Sequence, residues 1–182
     1  IISPSKNSPI IGIFQDSLLG CYLFTRVKQT NMKILPKDAM NLLMMFRDVD
    51  TTKIDKNMTA FDVLSQIMPP LTIRKKTNLY NDDIDEQSTS NNIVEIQNGK
   101  YIRGQIEKGT LAQSTSGLLH RIVNDYSNET CVRFIDDLQN VVTEYMKTCS
   151  FSVGISDLIA NKNTKQNVSA VLVDHKQQVN DL

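Results

Sequence analysis

The segment IVEIQNGKYIRGQI, residues 93–106, limits the possible folds more than any other part of the chain. Two runs rich in β-branched and aromatic residues flank Asn98 and Gly99, and both of these residues tolerate the positive φ that a type I′ turn requires. The segment therefore predicts a β-hairpin. A polar stretch, Gly109 to Ser116, follows the hairpin, and the next helix is predicted from about Gly117.

Helical periodicity dominates the rest of the chain. A first helix is predicted from Phe14, with Phe14, Leu18 and Tyr22 on one apolar face. Gly20 costs this helix about 1 kcal/mol relative to Ala unless close packing compensates. Further helices are predicted from Pro36, from Thr59 to Pro69-Pro70, from Glu129 to Lys147 and from about Thr164. With LTIRKK as a strand, the pattern predicts an α+β fold that is mostly helical with a β-hairpin in a small sheet.

Two apolar stripes and one acidic segment allow further structural predictions. Met40, Leu43 and Met44 are predicted to form plastic core on the second helix. Residues 77–92 predict a flexible acidic loop, because a calcium-binding EF-hand loop needs a Gly and a distant Glu that are missing there. The stripe of the last helix contains Val168, Val171, Leu172, His175, Val179 and Leu182. We expect another helix to pack over this stripe in a longer protein, because exposed apolar stripes tend to pair with another surface.

Composition excludes several classes of protein. Lys+Arg and Asp+Glu number 20 each, so the net charge is zero, whereas a nucleic-acid binder that acts alone usually carries a basic excess. The three cysteines lack CxxC spacing, which favours a reduced, intracellular setting. No run of about 18 apolar residues occurs, and no membrane span is predicted.

The sequence offers no recognised catalytic motif. Nucleotide-binding glycine motifs and the GxSxG motif are absent, and the two histidines, His120 and His175, have no recognisable partner. Two alternatives stay open from the residues alone. One is a free-standing adaptor that binds protein partners, and the other is a small hydrolase using Cys131 or Cys149 with a histidine.

Three blocks, taken in order, resemble one protein family. The first, ISPSKNSPIIGIFQDSLLG, is similar to the segment that follows the active-site motif in the largest subunit of multisubunit RNA polymerases, roughly SPxxxxPxxGxxQDxxxG. The residues matching this pattern are Ser3, Pro4, Pro9, Gly12, Gln15, Asp16 and Gly20.

The second and third blocks extend the resemblance. NGKYIRGQIEKGTLAQSTSGLLH resembles the hairpin and loop of that subunit, and FSVGISDLIAN resembles its FxxGIGDxIAD pattern. The matching residues are Asn98, Gly99, Gly104, Lys108, Ser114, Gly117, Leu118 and His120 in the second block, and Phe151, Gly154, Ile155, Asp157, Ile159 and Ala160 in the third. The chain departs from the family at Gly109, Ala112 and Ser156, and the middle, from about Val27 to Asn92, is too divergent to align.

The resemblance implies a piece of a larger multidomain subunit. Residues 1–155 correspond to its third domain, the pore domain, and residues 156–182 to the start of the funnel helices. The implied function is a non-catalytic module of DNA-directed RNA polymerase that lines the secondary channel and scaffolds the active centre. The abundance of Asn, Lys and Ile is typical of an AT-rich genome, as in large DNA viruses and protists.

The resemblance also implies the site, the partners and the location. Lys108, Ser114, Thr115 and Ser116 are expected to contact RNA or nucleotides along the channel, although the hydroxyls could instead only build the loop and cap the next helix. Structural roles are implied for Gln15, Asp16, Asn98, Gly99, Gly117, His120 and Asp157. No residue of the chain is expected to be catalytic or to bind a metal, since the magnesium-binding aspartates of the parent enzyme lie outside it.

The partners implied are other polymerase subunits and domains, nucleotides, the RNA 3′ end and a transcript-cleavage factor, with no membrane. The implied location is intracellular: the nucleus, or the host cytoplasm or virion for a viral enzyme.

Overall fold

The computed structural model describes residues 1–26, 32–81, 90–111 and 115–181. These residues form two compact units, Ile1–Cys149 and Ser150–Leu182. The first unit contains, in chain order, β1 (Ile2–Ser3), β2 (Ser8–Pro9), α1 (Gln15–Phe24), α2 (Pro36–Leu42), a 3-10 turn (Thr51–Lys53), α3 (Ala60–Ile67), β3 (Ile73–Lys76), β4 (Ile93–Gln97), β5 (Lys100–Arg103), α4 (Lys108–Leu111), α5 (Leu118–Asp125) and α6 (Asn128–Thr148). The second unit contains α7 (Ile155–Leu158) and α8 (Lys162–Asn180). The predicted α+β class, mostly helical with a small sheet, is confirmed.

The predicted hairpin forms two strands, β4 and β5, of an antiparallel sheet with the order β3-β4-β5, in which β4 is the central strand. Ile96 of β4 lies opposite Ile73 of β3 and Tyr101 of β5. Asn98 and Gly99 have φ values of 46° and 78°, as a type I′ turn requires. The local turn signal therefore predicted the hairpin correctly.

Helix α6 forms one wall of the core, and α1 packs directly against it. A Cβ at Gly20 would lie 2.3 Å from Cγ1 of Val142 and 2.9 Å from Cγ of Met146. The two helices can approach this closely only because Gly20 has no side chain. The close packing that the sequence required as compensation for a helical glycine is therefore present.

This contact changes which face of α1 is buried. Gly20, Cys21 and Phe24 are buried, whereas Phe14 is exposed. The sequence pattern placed Phe14 on the apolar face of this helix, and the expectation was wrong for Phe14, whereas Leu18 of the same face is partly buried against the core. A side chain of any size at position 20 would clash with α6, so the smallest residue, and not the most apolar row, sets the rotation of the helix.

The prediction of a methionine core on α2 was also wrong. Ala39, Leu42 and Leu43 are buried, while Met40 and Met44 are 44% and 63% exposed. The helix ends at Leu42, which is earlier than the apolar pattern suggested. Met44 therefore lies beyond the helix and does not continue its buried face.

The other helix boundaries follow the sequence closely. Thr59 and Asp62 form the predicted capping box, in which the Thr59 amide donates to Asp62 Oδ2 at 2.9 Å. The helix ends before Pro69, and α6 begins within one residue of the predicted Glu129. Capping and proline signals are local, so they could be recognised without knowledge of the tertiary packing.

The second unit consists of helices whose side chains are exposed. His175 and the apolar residues Val168, Val171, Leu172 and Val179 all lie on the surface of α8. Within the described parts of the chain, no helix has the length and apolar character that crossing a membrane requires. Residues 82–89 of the predicted acidic loop and Leu182 of the apolar stripe lie outside the described residues.

Candidate functional site

The candidate site begins where the hairpin ends. Strand β5 stops at Arg103, because Gly104 has a φ of 107° and turns the chain out of the sheet. The hydroxyl of Tyr101 donates to the carbonyl of Gly104 at 3.0 Å. The chain therefore leaves the sheet in a fixed direction and enters α4 at Lys108.

A buried polar network holds this exit in place. The Thr25 hydroxyl accepts a hydrogen bond from the Ile106 amide at 2.9 Å and donates to the Cys21 carbonyl at 2.8 Å. Asn91 donates to the Thr25 carbonyl and accepts from the Gly104 amide, both at 3.0 Å. Because buried polar groups are costly unless they are paired, this network ties the hairpin exit to the end of α1.

The polar stretch divides into an ordered start and an exposed end. Thr110 and Leu111 belong to α4 and are buried, so Thr110 does not contribute a surface hydroxyl. Thr115 and Ser116 are exposed. Residues 112–114, which include the candidate Ser114, lie outside the described residues.

Ser116 is bound by a lysine from the sheet. Lys75 Nζ on β3 donates to the Ser116 carbonyl at 3.1 Å and to its hydroxyl at 2.9 Å. Partial burial lowers the pKa of Lys75, and the nearby charge of Glu107 opposes that effect. Lys75 thus connects the end of the polar stretch to β3.

Lys108 lies beyond the hairpin, because β5 ends at Arg103, three residues before the end of the predicted hairpin segment. It is the exposed first residue of α4. Its neighbour Glu107 accepts from the Asn78 amide at 3.0 Å and lies near Lys75. Among the described residues, no ion pair or hydrogen bond is assigned to the Lys108 ammonium, which leaves it available to an anion from solvent.

None of the hydroxyl residues of the polar stretch occupies the N-cap position of α5. The N-cap of α5 is Gly117, which makes no side-chain cap hydrogen bond. His120, on the first turn, lies 3.2 Å from Nδ2 of Asn124 through its Nδ1 atom, a contact within one helix. His120 therefore has a structural contact and no nucleophile beside it among the described residues.

The other motif residues lie elsewhere. Gln15 and Asp16 are exposed in the first turn of α1. Asp157 caps α7, because its Oδ2 accepts from the Gly154 amide at 2.8 Å. In the hairpin turn, the Gly99 amide donates to the Leu71 carbonyl at 2.9 Å, away from the hairpin exit.

The buried thiols, including the candidate Cys131, do not support the hydrolase alternative. Burial raises the pKa of Cys131 to about 11 and that of Cys21 to about 12. The Cys131 thiol contacts the Leu119 carbonyl at 3.7 Å and has no histidine partner among the described residues. A cysteine nucleophile acts as the thiolate, and these environments disfavour the thiolate.

The described residues also offer no metal site. No three of their His, Cys, Asp and Glu side chains lie close enough to hold an ion.

The family model described as RNA polymerase Rpb1, domain 3, matches residues 1–158. The chain belongs to this family. The match includes the hairpin, α4, the polar stretch and α5, so the candidate site lies inside the Rpb1 domain 3 region.

Two curated relatives come from Trypanosoma brucei brucei. They are the DNA-directed RNA polymerase II subunits RPB1-A and RPB1-B, and each is 29% identical over 188 residues, covering 98% of this chain. The chain spans about 10% of the length of each relative.

Sequence reasoning missed three residues of this Rpb1 domain 3 site. Thr25, Lys75 and Asn91 lie outside the hairpin block, and the last two lie in the segment too divergent to align. Lys75 carried one usable signal, because it sits in the basic run Arg74 to Lys76 on a predicted strand. Thr25 and Asn91 carried none, since their partners are 81 and 66 residues away in hydrogen bonds that form only in the folded chain.

Proposed function

We propose that this chain is a non-catalytic module of the largest subunit of a DNA-directed RNA polymerase, and that its polar stretch lines the secondary channel. One observation carries the proposal. In a chain of the Rpb1 domain 3 family, exposed Lys108, Thr115 and Ser116 follow a contact of Glu107 with the segment just past β3. Ser116 itself is hydrogen-bonded to β3.

The chemistry of these side chains suits a channel wall. Hydroxyls and a lysine can contact phosphates and riboses without reading the base. A lysine is a point charge on a flexible stem, so it can follow a phosphate that moves. Such a surface lets nucleotides enter and a backtracked RNA 3′ end leave without fixing either one.

The parent enzyme would supply the chemistry of transcription. Nucleotidyl transfer and its magnesium ions are proposed to belong to residues outside this chain. The proposed partners are other polymerase subunits and domains, nucleotides, the RNA 3′ end and a transcript-cleavage factor. The proposed location is intracellular, where transcription takes place.

One observation favours the alternative of a protein-binding adaptor. A groove of about 560 Å³ lies beside α2 and the end of α6, and its lining includes the exposed side chains of Met32, Leu35 and Met44. Exposed methionines are common on surfaces that bind several partners. A pull-down from which polymerase subunits are absent would favour the adaptor over the polymerase module.

The experiment that tests the channel proposal is Lys108→Ala in the polymerase that contains this chain. We expect backtracked complexes to become up to about fivefold less stable, since an exposed charge contact contributes roughly 0–1 kcal/mol. Their cleavage should also become less sensitive to salt, while ordinary elongation stays near normal. Lys100→Ala removes an exposed charge from β5 and is the matched control. Unchanged pausing and cleavage across a salt series would make Lys108 an ordinary surface lysine.

A further inference from the structure

Lys75 makes a contact that the hairpin motif does not include. It lies on β3, opposite Val94 of β4, and its ammonium donates two hydrogen bonds to Ser116, 41 residues further along the chain. Hydrogen bonds from a charged donor are stronger than neutral ones. The end of the polar stretch is therefore bound to the sheet by one side chain.

A second contact fixes the segment just before the polar stretch. The amide of Asn78, two residues past the end of β3, donates to Glu107 Oε1 at 3.0 Å. The charge of Glu107 also acts on Lys75. The residue before Lys108 is thus bound to the segment that follows β3, and the last residue of the polar stretch is bound to β3 itself.

The start of α5 depends on this arrangement. Its N-cap, Gly117, provides no side-chain acceptor, which costs a helix a few tenths of a kcal/mol relative to a serine cap. The first turn is closed by the Arg121 amide, which donates to the Gly117 carbonyl at 3.1 Å. Holding Ser116, the residue before the cap, limits fraying of this turn.

We propose that Lys75 is a positioning residue for the polar stretch. Its ammonium holds Ser116 against β3 and sets the position of the exposed Thr115 and Ser116 hydroxyls relative to the transcript. The proposal rests on the channel function proposed above and adds to it a residue outside the matched motifs. Lys75 acts through Ser116, whereas Lys108 contacts the phosphate.

Hydrogen exchange in the assembled polymerase tests the positioning directly. Lys75→Met keeps an unbranched apolar side chain one atom shorter than lysine and removes the two hydrogen bonds to Ser116, so the Arg121 amide should exchange about tenfold faster, as expected for the loss of a charged hydrogen bond. Lys75→Arg can still donate to both oxygens and should exchange like the wild type. Lys100→Met removes a charge from the same sheet and should also leave this amide unchanged. Equal exchange in Lys75→Met and wild type would overturn the proposal.

Cleavage of backtracked transcripts tests the functional consequence. Lys75→Met and Ser116→Ala should each slow cleavage, and the double variant should be slower than Lys75→Met by less than the full effect of Ser116→Ala, because the two changes remove one shared contact. Lys75→Arg should restore the rate. The dependence of the rate on salt should stay that of the wild type in every variant.

Two outcomes would overturn the proposal in different ways. A salt dependence that falls by about 0.7 in log–log slope in Lys75→Met, but not in Ser116→Ala, would mean that Lys75 binds the transcript itself. Faster exchange of the Arg121 amide with unchanged cleavage in all variants would support the structural contact between Lys75 and Ser116 but contradict its role in the channel. Ser116 is exposed, so its replacement tests the contact without a large risk to folding.

Discussion

The hydroxyl of Thr25, at the end of α1, accepts a hydrogen bond of 2.9 Å from the amide of Ile106, 81 residues further along the chain. Both residues are buried. This bond joins the first helix of the chain to the segment that leads from the hairpin into α4. The position of the candidate site is therefore set by a residue near the start of the chain.

Thr25→Val should destabilise the first unit. Valine keeps the shape of threonine but leaves the buried Ile106 amide without its acceptor, which costs about 1–3 kcal/mol of unfolding free energy. Urea denaturation of the 182-residue chain measures the loss. Thr143→Val, at an exposed position of α6, is the control and should change the free energy of unfolding by less than about 0.5 kcal/mol. Equal stabilities of the two variants would contradict the role given to Thr25.

Gly20→Ala should also destabilise the chain, although alanine favours helix. The gain in helix propensity is about 1 kcal/mol, whereas inserting a methyl group 2.3 Å from Val142 Cγ1 costs about 1–3 kcal/mol in strain. The double variant Gly20→Ala with Val142→Ala should recover part of this loss, because the second change removes the clashing atom. A single Gly20→Ala variant that melts above the wild type would show that the two helices are not in close contact.

The three thiols should differ in reactivity. The buried Cys21 and Cys131 have raised pKa values of about 12 and about 11, so at pH 8 they are almost entirely uncharged and unreactive. Cys149 is only half-buried. A thiol reagent should therefore label one cysteine in the native chain and three after denaturation, and Cys149→Ser should abolish the native signal. Rapid native labelling of Cys131 would reopen the hydrolase alternative.

Local signals in the sequence predicted local structure well. The Asn98-Gly99 turn, the Thr59–Asp62 capping box and the limits of α6 all follow from residues within a few positions of one another. The α+β class could be predicted for the same reason. Such features need no knowledge of what packs against them.

Features set by distant contacts could not be predicted in this way. The buried face of α1 depends on how closely Gly20 approaches α6, and the apolar row alone did not show that Cys21 and Phe24 would be buried and Phe14 exposed. Met40 was predicted to be in the core because it belongs to an apolar stripe. The stripe does not show which side of α2 is covered by other elements, and Met40 is exposed. The hairpin segment was extended to Ile106 because the positive φ of Gly104, which ends β5, was not recognised. Lys75 was missed because its partner lies 41 residues away.

The 182-residue chain on its own should bind short RNA weakly. Its net charge is zero, and non-specific affinity comes mainly from phosphates neutralised by an excess of cations. Fluorescence anisotropy with a labelled single strand at physiological salt should show no binding at micromolar concentration. Tight binding that Lys75→Ala or Lys76→Ala weakened would instead reveal a basic surface on β3.

The most direct test of the central claim is a cross-link from the transcript to the polar stretch. A polymerase containing this chain would be stalled with a photoreactive uridine at the RNA 3′ end, either backtracked by several nucleotides or ready for addition, and the cross-linked peptides would be mapped. In the backtracked complex, we predict that the RNA 3′ end cross-links to a residue in the segment from Lys108 to Gly117. In the complex ready for addition, we predict no cross-link to this segment. Cross-links confined to other segments in both complexes would contradict the account.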